Sequence, residues 1–372
     1  MRIEPFGVEM WMNEYETRCS YNLAETCVES LTVNQLLDIT GTRQQALDDL
    51  GRMKLTYGAI TGSDRLRAAI AALYERQSPA NILVTHGAIG ANALVHAALV
   101  ERGDRVVSVQ PTYQQHYSIP ESYGADVRIL RLRRERGFLP DLDELASLAT
   151  PGTKLIAINN PNNPTGSLID RLMLEAIAAI ARRAGAWVLC DEVYRGLDQD
   201  GSGITGSMAD LYEKGISTGS MSKAFSLAGL RLGWIAGPES LLADATVHRD
   251  YNTISVGMID DYFAALALEH AGAVLARSRG ITRTNLAVLD AWMRAEPRLD
   301  WVKPRSGTTA FLQLRDGSPS RAFCVRLLEH TGVMLTPGSA MAMEGWLRVG
   351  YANATPVLRD GLARLSTFLD VA

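Results

Sequence analysis

Ile82-Leu-Val-Thr85-His86-Gly87-Ala88-Ile89-Gly90 runs four strand-forming residues into a glycine turn, and Ala91 to Val100 follows as a nearly all-apolar helix. A buried strand, a glycine turn and a helix start together offer backbone N–H groups to a phosphate. One such unit also serves plain packing, so its weight depends on what surrounds it. Downstream, strands read at Arg105 to Val109, Asp126 to Leu130, Leu155 to Ile158 and Trp187 to Cys190. Helical patterns opening at Tyr113 and covering Leu142 to Leu148 and Arg171 to Ala184 lie between them. Strands alternating with helices in this way mean βαβ units, hence an α/β fold with a mostly parallel central sheet and helices on both faces. In such a sheet the ligand lies beyond the carboxyl ends of the strands. Gly87, Asn159 to Gly166, Asp191 and Lys223 all fall at or just past strand ends and are expected to converge on one cleft.

The flanks have a different texture. Residues 8–19 read as a helical arm with Met10, Trp11, Tyr15 and Cys19 on an apolar side and Glu9, Glu14 and Glu16 as its acidic residues. Tyr21 to Ala24 reads as a short strand. From Asp261 to Ala295 the pattern is one long Ala- and Leu-rich helix. A strand at Ala310 to Leu314, a helix at Ser320 to His330, a strand at Val333 to Leu335 and a helix at Pro356 to Leu369 suit a smaller α+β domain. The expected division is an arm and part of the small domain at 1–45, a large domain at 46–270 and a small C-terminal domain at 271–372.

Composition narrows the classes. With 47% hydrophobic residues, 21% charged residues and a net charge of −4, nothing calls for nucleic acid or a membrane surface as partner. The start, Met1-Arg-Ile-Glu-Pro-Phe, lacks the pattern of a signal peptide, and no uncharged apolar run reaches the ~18 residues of a membrane span. Cys19, Cys27, Cys190 and Cys324 are scattered, which fits a reduced, cytoplasmic protein. His86, His96, His116, His248, His270 and His330 show no ligand spacing, so no metal is expected.

The chemistry lies in three segments. Ser220-Met-Ser222-Lys223 is followed by Arg231. A lysine amine forms Schiff bases with carbonyl compounds, pyridoxal phosphate in particular, and hydroxyls with a guanidinium suit that cofactor's phosphate. Asn159-Asn-Pro-Asn-Asn163-Pro-Thr-Gly166 is a rigid polar ledge, its prolines fixing φ and its amides free to bond a ligand oxygen. Asp191, ending a buried strand, is costly unless paired. A protonated pyridine nitrogen is a suitable partner, and the pair makes the ring an electron sink. Tyr194 is placed to reach the ring's phenolic oxygen.

These segments, with Asp191-Glu-Val-Tyr194 and Trp346-Leu-Arg348, resemble the class I/II aminotransferases, which are fold type I pyridoxal-phosphate enzymes. The resemblance covers nearly the whole chain. It implies that Lys223 carries the cofactor and shuttles protons, that Asp191 pairs with the pyridinium, and that Tyr194 and Asn163 bind the ring oxygen. It implies stacking on Tyr113 and a phosphate held by the Gly87 turn, the Ala88 and Ile89 amides, Ser220, Ser222 and Arg231. Tyr57 resembles a residue that reaches the neighbouring subunit's phosphate, which implies a homodimer with shared sites. Arg348 is expected to clamp the substrate α-carboxylate, with Asn163 and Thr26 beside it.

Transamination of an L-α-amino acid is the majority chemistry of that family and the leading expectation. Two features depart from the common pattern. Ala24-Glu-Thr-Cys-Val-Glu-Ser30 stands where relatives commonly have a glycine-rich stretch, and the arm is unusually acidic. Both resemble, loosely, a branch acting on arginine and hydroxyarginine: arginine oxidases or hydroxylases, and cyclases making capreomycidine- or enduracididine-type residues. Glu14 and Glu16, with Glu25 and Glu29, are then candidate partners for a substrate guanidinium. Against the oxidase alternative, Ser220 stands where some arginine oxidases carry an aspartate.

Overall fold

A computed structural model describes residues 2–370. Its large sheet has seven strands: β2 (Ile82–His86), β3 (Arg105–Gln110), β4 (Asp126–Arg131), β5 (Thr153–Asn159), β6 (Trp187–Asp191), β7 (Gly215–Ser220) and β8 (Leu232–Ala236). The spatial order is β2-β8-β7-β6-β5-β3-β4. All neighbours are parallel except β8, which runs antiparallel between β2 and β7. The carboxyl ends of β2, β5, β6 and β7 therefore share one edge, and β8 begins on that edge.

The arm is the helix Gly7–Tyr15 with a 3₁₀ turn at Glu16–Arg18, followed by the two-residue strand β1 (Tyr21–Asn22). β1 pairs in parallel with β11 (Val333–Met334), so the expected strand to Ala24 stops two residues early. A second sheet is antiparallel, in the order β12-β13-β10-β9, from β9 (Leu299–Trp301), β10 (Thr309–Leu314), β12 (Thr336–Pro337) and β13 (Trp346–Gly350). Its core joins Leu312, Leu347 and Val349 to Leu358 and Leu362 of the last helix and to Trp11, Leu23 and Ala24.

The arm helix buries Val8 and Trp11 and packs Met12 and Tyr15 against the core, at i, i+3, i+4 and i+7 spacing. Trp11 is fully buried, and its indole N–H donates to Leu335 O at 2.9 Å. Met10, expected on the apolar side, is 56% exposed, because its angular position falls outside that stripe. The expected single helix over 261–295 is two helices, Met258–Glu269 and Ala271–Ala295, meeting at His270.

Candidate active site

The carboxyl edge of the large sheet and the arm enclose a cavity of ≈ 370 Å³. Arg348, Asn163, Asp191, Tyr194, Lys223, Ser220, Ser222, Arg231, Ala88, Ile89, Tyr113, Thr26 and Glu16 all line it. Gly87 stands just behind the wall, at φ +65, with the Arg231 guanidinium 3.1 Å from where a side-chain β-carbon would sit. Any larger residue there would press on that arginine and strain the left-handed turn.

Asp191 is buried at the end of β6. One carboxylate oxygen accepts from Asn92 Nδ2 at 3.0 Å and faces His116 Nε2 at 3.6 Å; the other accepts Val193 N at 3.2 Å. Asn92 is itself fixed by Thr218, whose hydroxyl donates to its Oδ1 at 2.8 Å. Behind His116, the fully buried His96 ring lies 6.0 Å away, edge-on, and burial depresses its basicity to about 3. Asn92 and His116 were not singled out in the sequence. For Asn92 the signal was there, since it and His96 are the polar residues of an otherwise apolar helix, Gly87–Leu99, one turn apart on one face; His116, in the helix Gln115–Tyr123, had no such signal.

Lys223 projects from the loop after β7. Its Nζ donates to Thr26 Oγ1 at 2.8 Å and Cys27 Sγ at 3.3 Å, and Glu25 Oε1 is 4.0 Å away. Burial works against the charged amine, yet the hydrogen bond to Cys27 and the Glu25 charge hold its basicity above the ordinary value. Tyr194 is buried, which pushes its phenol up. The Tyr113 phenol is likewise raised by burial, donates to Glu9 Oε1 at 2.8 Å, and stacks obliquely on Phe6 with centroids 4.7 Å apart.

At the other end of the cavity, Ser220 Oγ accepts Ser222 N, and Arg231 Nη1 reaches Ser222 Oγ at 3.4 Å and Ala228 O at 3.0 Å. Arg231 sits at φ +48, an uncommon conformation for a side chain of this size, which aims its guanidinium back over the Gly87 turn. Gly233 makes the approach possible, since a β-carbon there would meet Gly87 C at 2.4 Å and Ala88 N at 2.5 Å. Hydroxyls, a guanidinium and a free helix N-terminus form an anion cradle.

Arg348, on β13, is buried; its Nη1 donates to Asn163 Oδ1 at 3.2 Å, its Nη2 to Ala24 O at 3.0 Å and Thr336 Oγ1 at 3.1 Å. Burial lowers its basicity, and its Nε has no partner among the described residues. A buried guanidinium with spare donors on a cavity wall is a carboxylate receptor.

Helical geometry sorts the acidic residues. Glu9, Met12, Asn13 and Glu16 line the cavity at i, i+3, i+4 and i+7, while Glu14 is exposed on the opposite face and does not reach it. Glu14 therefore does not line this cavity, whereas Glu9 and Asn13 do. Glu29 lies outside this cavity with Arg277 3.8 Å away. Tyr57 is 79% exposed and outside its own chain's cavity. Among the described residues no cluster of three or more His, Cys, Asp or Glu has the geometry of a metal site, the cysteines are free, and no helix is long and apolar enough to cross a membrane.

The donor set fits pyridoxal phosphate: a buried carboxylate for the pyridinium, an amine for the aldehyde, an aromatic wall and an anion cradle share one cavity. Comparison with known proteins agrees. The chain is 33% identical over 365 residues to a capreomycidine synthase of Streptomyces vinaceus, covering 96% of this chain and 92% of that one. A PLP-dependent aminotransferase from Streptococcus suis superposes with a TM-score of 0.96 at 41% identity, covering 100% and 98% of the two chains. The PLP-dependent cyclase OrfR superposes with a TM-score of 0.93 at 30% identity, again covering 100% and 98%. Residues 28–364 match the family model of the class I and II aminotransferases. The chain is a member of the class I and II aminotransferases, a family of pyridoxal-phosphate-dependent enzymes.

Proposed function

We propose that this protein acts on an L-α-amino acid carrying a guanidinium side chain, and that it expels a β-substituent and closes a ring rather than passing the amino group to an acceptor. One observation carries the substrate class: the arm helix turns Glu9, Asn13 and Glu16 into the cavity whose wall holds Arg348. Arg348 suits the α-carboxylate, and a planar guanidinium at the far end suits carboxylate partners. The likenesses to the capreomycidine synthase, to the cyclase and to the streptococcal aminotransferase all extend into the arm, so the arm itself does not separate the reactions. Ring closure on a hydroxyarginine-like substrate is supported by the likeness to the capreomycidine synthase and the cyclase together with the acidic arm. Transamination is the second reading, favoured by the complete lysine, aspartate and arginine set and by the streptococcal aminotransferase.

Bound at this site, pyridoxal phosphate draws electrons from the substrate α-carbon. In our reading the chain's residues do the rest. Asp191, braced by Asn92 and His116, keeps the ring nitrogen protonated. Tyr113 gives the ring a flat wall, and Asn163 and Tyr194 bond its oxygen. Ala88, Ile89, Ser220, Ser222 and Arg231 hold the phosphate. Arg348, with Asn163 and Thr26, orients the substrate, and Lys223 takes and returns the proton at its α-carbon. Val8 and Met12 of the arm shut water out of that wall. Exposed Leu55, Tyr57, Ile60, Tyr251 and Ile254 fit burial against a second copy, with Tyr57 serving the partner's site in a homodimer.

The test is Glu16→Gln. Losing one partly exposed charged bond, ~1–2 kcal/mol, raises the KM for a guanidino amino acid roughly five- to thirtyfold while kcat and the KM for a neutral analogue hold. Glu14→Gln, on the outer face, changes neither. Unchanged KM in Glu16→Gln and in Glu9→Gln refutes the substrate class.

A further inference from the structure

One carboxylate beside the reactive amine has no place in the roles above. Glu25 Oε1 accepts the backbone N–H groups of Thr26 and Cys27 at 2.7 and 2.8 Å, which fixes it 4.0 Å from Lys223 Nζ. The next two residues touch the same nitrogen, Thr26 through Oγ1 at 2.8 Å and Cys27 through Sγ at 3.3 Å. Three consecutive residues thus surround one amine.

Their charges differ. Burial pushes the Cys27 thiol up to about 11, and the Tyr194 phenol is raised as well, so both are neutral at physiological pH. Burial also opposes ionisation of Glu25, but the Lys223 charge and the bonds from Cys27 and Thr26 hold its carboxyl below the usual range. Glu25 is therefore the anion of this turn. Other charged or titratable groups around the cavity are Asp191, Arg231, Arg348, Tyr113, Glu9 and Glu16. A carboxylate already bonded to two backbone donors is a poor partner for a mobile substrate side chain and a good fixed counter-charge for a neighbour.

We propose that Glu25 is a positioning residue for Lys223, the fixed counter-charge to its nitrogen in the cofactor-loaded resting enzyme and, with Thr26 and Cys27, part of a fixed dock for the free amine during turnover. This takes Glu25 out of the set of guanidinium partners and leaves that task to the arm helix. It rests on Lys223 being the cofactor-bearing lysine but not on any choice of substrate.

The experiment needs no substrate. Enzyme loaded with pyridoxal phosphate is titrated with pH, and the midpoint of the bound cofactor's visible absorbance is read in wild type, Glu25→Gln, Glu25→Asp and Cys27→Ser. An anion at this distance raises the midpoint, so Glu25→Gln lowers it by about one pH unit, a value reduced from the full Coulomb figure because Glu25 is 40% exposed. Glu25→Asp, which keeps the charge, restores at least half of that shift, and Cys27→Ser leaves the midpoint in place. The persisting visible band reports that each variant is folded and loaded. A Glu25→Gln midpoint within ~0.3 unit of wild type overturns the proposal. A band that survives unchanged in Lys223→Ala overturns the lysine assignment beneath it, so the two failures are distinguishable.

Discussion

Gly233→Ala probes the proposed phosphate cradle from behind, without touching a group proposed to bind. Gly233 pairs with Thr85 of β2 on one side and Ser220 of β7 on the other, so β8 brings its backbone against the Gly87 turn. An added β-carbon would lie 2.4 Å from Gly87 C, 2.5 Å from Ala88 N and 2.8 Å from Gly219 O. All three are backbone atoms with no rotamer to escape into. Restoring ordinary contact at 3.4 Å from 2.4 Å moves the turn by 1.0 Å relative to β8. Overpacking of this kind costs ~1–3 kcal/mol of stability. The same shift misaligns the Ala88 N–H, and losing one charge-assisted bond of ~1.5–3 kcal/mol weakens pyridoxal phosphate binding roughly ten- to hundredfold. The assay is a cofactor titration of dialysed enzyme, with the melting temperature of the loaded form alongside. Gly229→Ala is the control, since nothing lies within 4 Å of a β-carbon there. Wild-type affinity and melting temperature in Gly233→Ala would refute the close-approach argument.

Three further outcomes are expected. Arg348→Lys keeps a charge but loses the planar fork held by Asn163, Ala24 and Thr336, and steady-state kinetics should show KM for every α-amino acid rising at least ~10-fold. Trp11→Ala empties a fully buried site and removes the bond to Leu335; it should destabilise the arm by ~3–5 kcal/mol, seen as rapid hydrogen exchange over residues 7–18. Gly280→Ala, in the long helix with nothing within 4 Å of its β-carbon, should stabilise by ~0.5–1 kcal/mol in a urea melt.

The parallel half of the large sheet could be read from the chain because β3, β5 and β6 are apolar runs between amphipathic helices. Arg171–Ala184 could be placed to the residue because Asp170 caps it, accepting Met173 N at 2.9 Å. Lys223 was expected just past a strand end, but the span of that strand, β7, could not be assigned, since Gly-Ile-Ser-Thr-Gly-Ser has no apolar pattern. Its hydroxyls are buried because Ser217 and Thr218 meet Glu192 and Asn92, partners that only the fold brings near. β8 was not placed either, and its antiparallel insertion between β2 and β7 is a matter of strand order, which is a property of tertiary packing.

The site divides similarly. Residues in local motifs, such as Asn163, Asp191, Lys223 and Arg231, could be picked out in the sequence, and the structure gathers them on one cavity. Residues that act across the fold could not. Glu9 competes with Glu14 and Glu16 in composition, and only the helix phase decides which of them face inward. Cys27 and Glu25 gain meaning from Lys223, far along the chain, through contacts at 3.3 and 4.0 Å.

The most direct measurement is an anaerobic single turnover of loaded enzyme with β-hydroxyarginine, arginine and a neutral amino acid in turn, without any 2-oxo acid. Visible absorbance and products are followed together. The account predicts a ring-closed guanidino amino acid from the β-hydroxy substrate, with the cofactor's colour regained and no 2-oxo acid released. Lasting, stoichiometric bleaching with release of a 2-oxo acid, at similar rates for guanidino and neutral amino acids, would contradict it.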